Sequence, residues 1–79
     1  MSRISREIRR QAELKAKLQA AFRSRLGPQI RNLEIEVRGN ACVLSGDASS
    51  FYVKQLAQVV AMHLGQFQTL QNEIAVTAH

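Results

Sequence analysis

Between Gly65 and Val76 the chain reads Gly-Gln-Phe-Gln-Thr-Leu-Gln-Asn-Glu-Ile-Ala-Val, and this stretch decides the fold. Gly65 follows an apolar helical pattern and is expected to end that helix, because glycine adopts the left-handed closing conformation at little cost. Apolar and polar side chains then alternate, which is the pattern of a strand with one buried face. We predict a helix that returns into a strand over residues 66–77, with Leu70, Ile74 and Val76 facing the core.

The segment before Gly65 has the strongest helical pattern in the chain. Ser49 or Ser50 can cap it, because a serine oxygen accepts a hydrogen bond from a free backbone N–H of the first turn. Its apolar residues recur at the spacing of one helical face, and the buried stripe that they predict is Val53, Leu56, Ala57, Val60, Ala61 and Leu64.

Two alternating apolar runs, residues 33–38 and 41–45, flank Gly39 and Asn40 upstream of this helix. Glycine in the first position of a two-residue loop suits a type II′ turn, whose twist matches that of the flanking strands. The pattern therefore predicts an antiparallel hairpin, and Gly46 permits a bend after it.

The N-terminal part of the chain has a helical pattern from about Ser5 to Leu26, which the Gly-Pro pair at 27–28 ends. Lys15 and Arg25 interrupt its apolar arc. We therefore expect packing to begin near Leu14, with residues 1–10 projecting. The apolar arc itself consists of Ile4, Ile8, Leu14, Leu18, Phe22 and Leu26.

These elements predict an α+β fold, a two-layer αββαβ domain in which two helices pack on one face of a three-stranded mixed sheet. Residues 1–12 would form a basic N-terminal helical extension, and residues 13–78 the domain. The third strand runs parallel to the second if the two are neighbours, but the pattern leaves the strand order open. The uncovered sheet face is expected to carry Glu34, Glu36, Val43, Gln71 and Glu73.

Length and composition restrict the possible functions. A chain of 79 residues has room for one small core, which leaves little space for an embedded cofactor. Cys42, His63 and His79 are its only cysteine and histidines, and they provide neither a disulfide nor a zinc-ligand spacing. We expect no catalytic residue, metal or cofactor, and we interpret Cys42 as a small buried hydrophobe.

No apolar run reaches the length of a signal-peptide core or of a transmembrane helix. As written, the chain is expected to be cytoplasmic. If it is a mature fragment of a longer protein, the periplasm or the cell envelope would suit it equally.

Charge is unevenly distributed along the chain. Residues 1–31 carry nine basic and two acidic side chains, a net charge of +7, whereas residues 32–79 carry two basic and four acidic ones, a net charge of −2. An anionic partner is therefore expected to meet the first helix. Its basic stripe can lie on anionic phospholipid or on an acidic protein, and the alternative is a solvated helix face. The stripe consists of Arg3, Arg6, Arg10 and Lys17.

Four large side chains of the second helix, Phe51, Tyr52, Val59 and Met62, lie outside its buried stripe. This apolar outer patch marks a protein interface or a site of self-association, unless the first helix packs over it. Nucleic acid is a third possible partner, through phosphate attraction alone. Sequence-specific recognition is not expected, because the aromatics do not alternate along an exposed strand as stacking platforms would.

The residues from about Leu14 to Val76 resemble a BON domain, the small bacterial module named for osmotic-shock and nodulation proteins. The similarity rests on Asn40-Ala41-Cys42-Val43-Leu44-Ser45-Gly46, on Ala48-Ser49-Ser50, on Ala57, and on Gly65, Leu70, Asn72, Ile74 and Val76. Cys42 replaces a usual valine. The resemblance implies a non-catalytic module that contacts phospholipid membranes or envelope partners, and it supplies no catalytic residue.

Overall fold

The structure, a computed structural model, describes residues 3–77, with side chains described from Arg6 onward. Its elements are α1 (Arg3–Arg25), a 3₁₀ turn (Gly27–Gln29), β1 (Ile30–Arg38), β2 (Ala41–Ala48), α2 (Phe51–Gly65) and β3 (Thr69–Val76). The sheet order is β1-β2-β3, with β1 antiparallel and β3 parallel to β2. Both helices pack on one sheet face, which confirms the predicted αββαβ fold.

One hydrophobic core lies between the helices and the sheet. α1 is half-buried at Leu14 and completely buried at Leu18, so the prediction that its packing begins near Leu14 is confirmed. The buried core residues are Leu18, Phe22 and Leu26 in and just after α1; Ile35, Cys42, Leu44, Ala48 and Ile74 in the sheet; Val53, Ala57, Val60 and Ala61 in α2; and Phe67 in the following loop.

The opposite sheet face carries the residues that the sequence pattern placed there. Cross-strand pairing aligns them in two rows, one of Glu36, Val43 and Gln71 and one of Glu34, Ser45 and Glu73. The glutamates and Gln71 are exposed, and the two central residues are half-buried. This open sheet face is therefore polar and solvent-facing.

A bulge interrupts β1 between Arg31 and Glu34, where its register against β2 shifts. Asn32 has a φ of 54° there, a conformation that asparagine tolerates better than most residues. Across the ladder, Gly46 has a φ of 145°, and a Cβ built on it would lie 3.0 Å from the carbonyl oxygen of Arg31. Glycine is required at 46 because the bulged backbone passes directly over it.

The ends of α2 are both closed, although not entirely as predicted. Ser50 is the N-cap, and its Oγ accepts a hydrogen bond from the Val53 N–H at 3.2 Å. At the other end, α2 ends at Gly65 as predicted, but Gln66 and not Gly65 takes the left-handed closing conformation. Glycine is needed at 65 for a different reason, because a Cβ there would overlap the Phe67 ring.

Two apolar residues predicted to be buried are not. Leu64 is 43% exposed, because the Phe67 ring, itself 5% exposed, fills the space beneath the last turn of α2. Val76 is 40% exposed, since it is the last residue of an edge strand and lies beyond the cover of α2. β3 also starts at Thr69, later than predicted, because residues 66–68 form the loop that returns Phe67 to the core.

Asn72 joins β3 to α2. Its Nδ2 donates to the carbonyl oxygen of Lys54 at 2.9 Å, and its Oδ1 accepts the N–H of Ile74 at 3.2 Å. The Thr77 N–H donates to Ala48 of β2, so the alternation of a strand directs the Ile74 N–H toward the free edge of β3. Asn72 therefore fixes the helix to the strand and satisfies a backbone donor at the sheet edge.

Candidate binding surface

The two helices run antiparallel across the sheet. Residues 8–15 of α1 lie beside residues 35–37 of β1, and the end of α1 lies beside Ile30 and Leu33, so α1 runs opposite to β1. α2 links the end of β2 to the start of the parallel strand β3, so it runs opposite to β2 and in the same direction as β1. Their outer sides form one surface that faces away from the sheet.

The first turns of α1 are exposed to solvent. The helix has 23 residues, so it is about 34 Å long. The molecule accordingly measures 50 × 21 × 19 Å along its principal axes. Arg6 to Arg10 are all exposed, and Ile8 is exposed over 62% of its surface. The predicted extension is thus helical from Arg3 and continuous with the packed part of α1, while Met1 and Ser2 lie outside the described residues.

Arg6, Arg10 and Lys17 lie on one exposed side of α1, within an arc of about 40°. The stripe's fourth member, Arg3, begins the helix, but its side chain lies outside those described. In residues 6–77 the structure contains one ion pair, between Arg38 and Glu36. The described cations of the basic stripe therefore have no acidic partner within this part of the chain.

All four residues of the apolar outer patch are exposed. The exposed fractions are 63% for Phe51, 71% for Tyr52, 60% for Val59 and 42% for Met62. They occupy an arc of about 100° on α2, shared with Gln55 and with no charged residue. α1 does not cover the patch, so the alternative in which the first helix packs over it does not hold.

The basic stripe and the apolar outer patch adjoin the seam between the two helices. One flank of α1 faces β1, so its opposite flank, which holds half-buried Ala21, faces α2. Arg10 and Lys17 lie within about 40° of that flank.

On α2, the hydrogen bond from Asn72 to Lys54 marks the flank toward β3, and the opposite flank faces α1. Tyr52 and Val59 lie within about 60° of half-buried Leu56 on the flank toward α1.

Cys42 is buried in the core, as the sequence pattern predicted, whereas His63 lies at the surface. Cys42 is 1% exposed, and burial raises the pKa of its thiol to about 11, so it packs as a neutral hydrophobe. His63 is exposed in the last turn of α2. Within residues 3–77, no three His, Cys, Asp or Glu side chains cluster closely enough to hold a metal ion.

A groove that the sequence pattern did not indicate follows the seam between α1 and β1. It contains two cavities, one of about 300 Å³ beside Phe22, Ile30 and Leu33, and one of about 260 Å³ beside Ile8, Ala12, Ile35 and Val37. The space left between two packed elements depends on their tertiary placement, which leaves no trace in residue periodicity.

Comparison of the chain with protein-family models and with curated proteins finds no match. Neither helix, over the part of the chain that the structure describes, is long and apolar enough to cross a membrane.

Proposed function

We propose that the chain is a non-catalytic binding module of BON type that docks on anionic phospholipid membranes through the outer side of its helix layer. One observation carries this proposal: the exposed apolar outer patch of α2 and the basic stripe of α1 adjoin the same seam. Surface-bound membrane proteins combine these two features, because apolar side chains enter the headgroup boundary while cations meet anionic lipid. The resemblance to BON domains implies the same class of partner.

The two features contribute differently to binding. Each cation close to an anionic surface contributes on the order of 1 kcal/mol, and salt screens this attraction over about 10 Å. The apolar outer patch contributes by burial, which salt does not weaken. Phe51 and Tyr52 supply the aromatic rings at this interface, since the chain contains no tryptophan. Binding is therefore expected to be reversible and strongly dependent on salt.

The distribution of acidic residues favours one orientation on the membrane. Glu34, Glu36, Asp47 and Glu73 lie on the open sheet face, which keeps a net negative charge even with Arg31 and Arg38 beside them. An anionic membrane repels this face and attracts α1. The helix layer is thus directed toward the lipid and the sheet toward water.

Vesicle flotation tests the proposal. Vesicles with anionic lipid should recruit the protein at low salt, neutral phosphatidylcholine vesicles should not, and high salt should release it. Reversing Arg6 and Arg10 to glutamate should reduce recruitment by about tenfold or more. The matched control reverses Arg23 and Arg31, which removes the same charge elsewhere and should retain most of the binding. The proposal is wrong if anionic vesicles recruit no wild-type protein at low salt, or if both double variants lose binding equally.

Variants of the apolar outer patch separate lipid from other anionic partners. Val59→Gln with Met62→Gln should weaken recruitment to anionic vesicles, because the patch no longer enters the headgroup boundary. Nucleic acid or an acidic envelope protein bound by the basic stripe alone would be insensitive to this change. Equal vesicle binding by the wild type and this variant would show that the apolar outer patch does not enter the membrane, and it would refute this part of the proposal.

A second candidate function is protein interaction or self-association through the apolar outer patch. It is favoured by the absence of charge from the patch, because two copies can bring this surface together without repulsion. Sedimentation at high concentration would then show a dimer that Val59→Glu dissociates. Such a dimer, together with no recruitment to anionic vesicles, would replace the lipid proposal with this one.

A further inference from the structure

The outer edge of β1 is open to solvent near Ile35 and Val37. Within residues 3–77, β1 pairs with β2 alone, so no described strand lies beside its other edge. The smaller cavity of the groove touches these two inward-facing residues and also Glu36, whose side chain lies on the opposite sheet face. The backbone at this edge is therefore accessible to another chain.

The hairpin register identifies the backbone groups at this edge. The two-residue turn makes Arg38 and Ala41 a hydrogen-bonded pair, and alternation makes Glu36 and Val43 the next. The N–H and C=O groups of Ile35 and Val37 consequently point away from β2. Unpaired groups of this kind are a template for an added strand. The bulge at residues 31–34 ends the regular edge, so it suits a short segment.

The two cavities give such a segment side-chain positions. Apolar residues line part of each cavity, with Ile8, Ala12, Ile35 and Val37 at the smaller one and Phe22, Ile30 and Leu33 at the larger one. Apolar side chains of an added segment that point toward α1 can therefore contact them.

The positive charge along the groove favours an acidic side chain in the added segment. Lys15 and Arg23 lie two helical turns apart on the exposed flank of α1 that borders the groove. The groove's lining contains one acidic residue, Glu36, and Arg38 already pairs with it. An acidic side chain between the apolar ones would meet these two cations. Pairing with β1 of a second copy would instead bring two such basic flanks together, which like-charge repulsion opposes.

We propose that this groove binds an extended segment of a partner protein, which adds to β1 as a fourth strand and points apolar side chains, with an acidic one between them, toward α1. The surface is separate from the outer side of the helix layer. The inference therefore does not depend on lipid binding.

Amide NMR of the full chain with two synthetic peptides tests the proposal. The first peptide has valine at positions one and five, glutamate at three and threonine between them, with both ends blocked, and the second has lysine at position three. The glutamate peptide should shift the amide signals of Ile35 and Val37, slow their hydrogen exchange, and bind about tenfold more tightly than the lysine peptide. Shifts confined to other surfaces, or equal binding of both peptides, would refute the proposal.

Variants locate the binding in the groove. Ala12→Phe fills the smaller cavity, and Ala20→Phe is its matched control on an exposed side of α1 away from the groove. Val37→Pro removes an edge N–H without losing a ladder hydrogen bond. We expect Ala12→Phe and Val37→Pro to weaken peptide binding by about tenfold or more, and Ala20→Phe to leave it unchanged. Undiminished binding to Ala12→Phe, or a wild-type dimer that this variant dissociates, would overturn the assignment.

Discussion

α1 and α2 pack on the same sheet face with the same kinds of side chain, but the domain holds them to different extents. α2 is capped by Ser50, closed by Gln66 and buried from Val53 to Ala61. α1 has its buried residues only from Leu18 onward, and Arg6 to Arg10 at its start are exposed. Closing the core requires only the second half of α1. The exposed first turns of α1 and their cations are not needed to close the core, so they are available for binding.

The outer sides of the helices differ as well. α1 presents arginines and lysines, whereas α2 presents Phe51, Tyr52, Val59 and Met62 with no charge among them. Solvation alone favours polar residues on both, so the apolar side of α2 is not explained by folding. The comparison shows that the inner sides of the two helices specify the fold. Their outer sides carry residues that the fold does not require.

The largest expected effect separates the two halves of α1. Leu18→Ala should lower the free energy of unfolding by about 3 kcal/mol, because it leaves a cavity at a completely buried site. Ile8→Ala, in the exposed first turns, should change it by less than about 0.5 kcal/mol. Urea denaturation at neutral pH measures both values. Equal losses would mean that the first turns are packed in solution, and the contrast between the helices would fail.

A smaller effect is expected at the closed end of α2. Gly65→Ala should cost about 2 kcal/mol, because the new methyl group must displace the buried Phe67 ring. In a Phe67→Leu background the same substitution should be neutral or stabilising, since alanine favours a helix over glycine by about 1 kcal/mol. Thermal or urea unfolding of the four proteins completes this cycle. Additive losses would show that the ring does not restrict residue 65.

The smallest effect concerns the start of α2. Ser50→Ala should cost about 1 kcal/mol, because the Val53 N–H loses its acceptor. Ser49→Ala is the matched control, with an expected change within about 0.5 kcal/mol, since Ser49 precedes the cap and is exposed. If the two variants unfold at the same urea concentration, Ser50 does not hold this end of α2.

Periodicity alone predicted the element types and most of the core, because residues such as Ile35, Leu44 and Val60 are buried by the geometry of their own element. It misassigned Leu64 and Val76, whose burial depends on where a neighbouring element ends. Phe67 was missed because a loop residue has no period. The exposure of the apolar outer patch and the existence of the groove depend on the lateral placement of α1, which is set by tertiary packing and which no pattern within one segment encodes.

The hydrogen bond from the Ile74 N–H to Asn72 has a consequence for the solubility of the protein. Head-to-tail polymerisation of the sheet would require β1 of one molecule to pair with β3 of the next. Asn72 already occupies the donor in the middle of β3, so each added molecule would first have to break this bond. The bond therefore opposes the addition of a strand at the outer edge of β3, although this edge is not covered by another element.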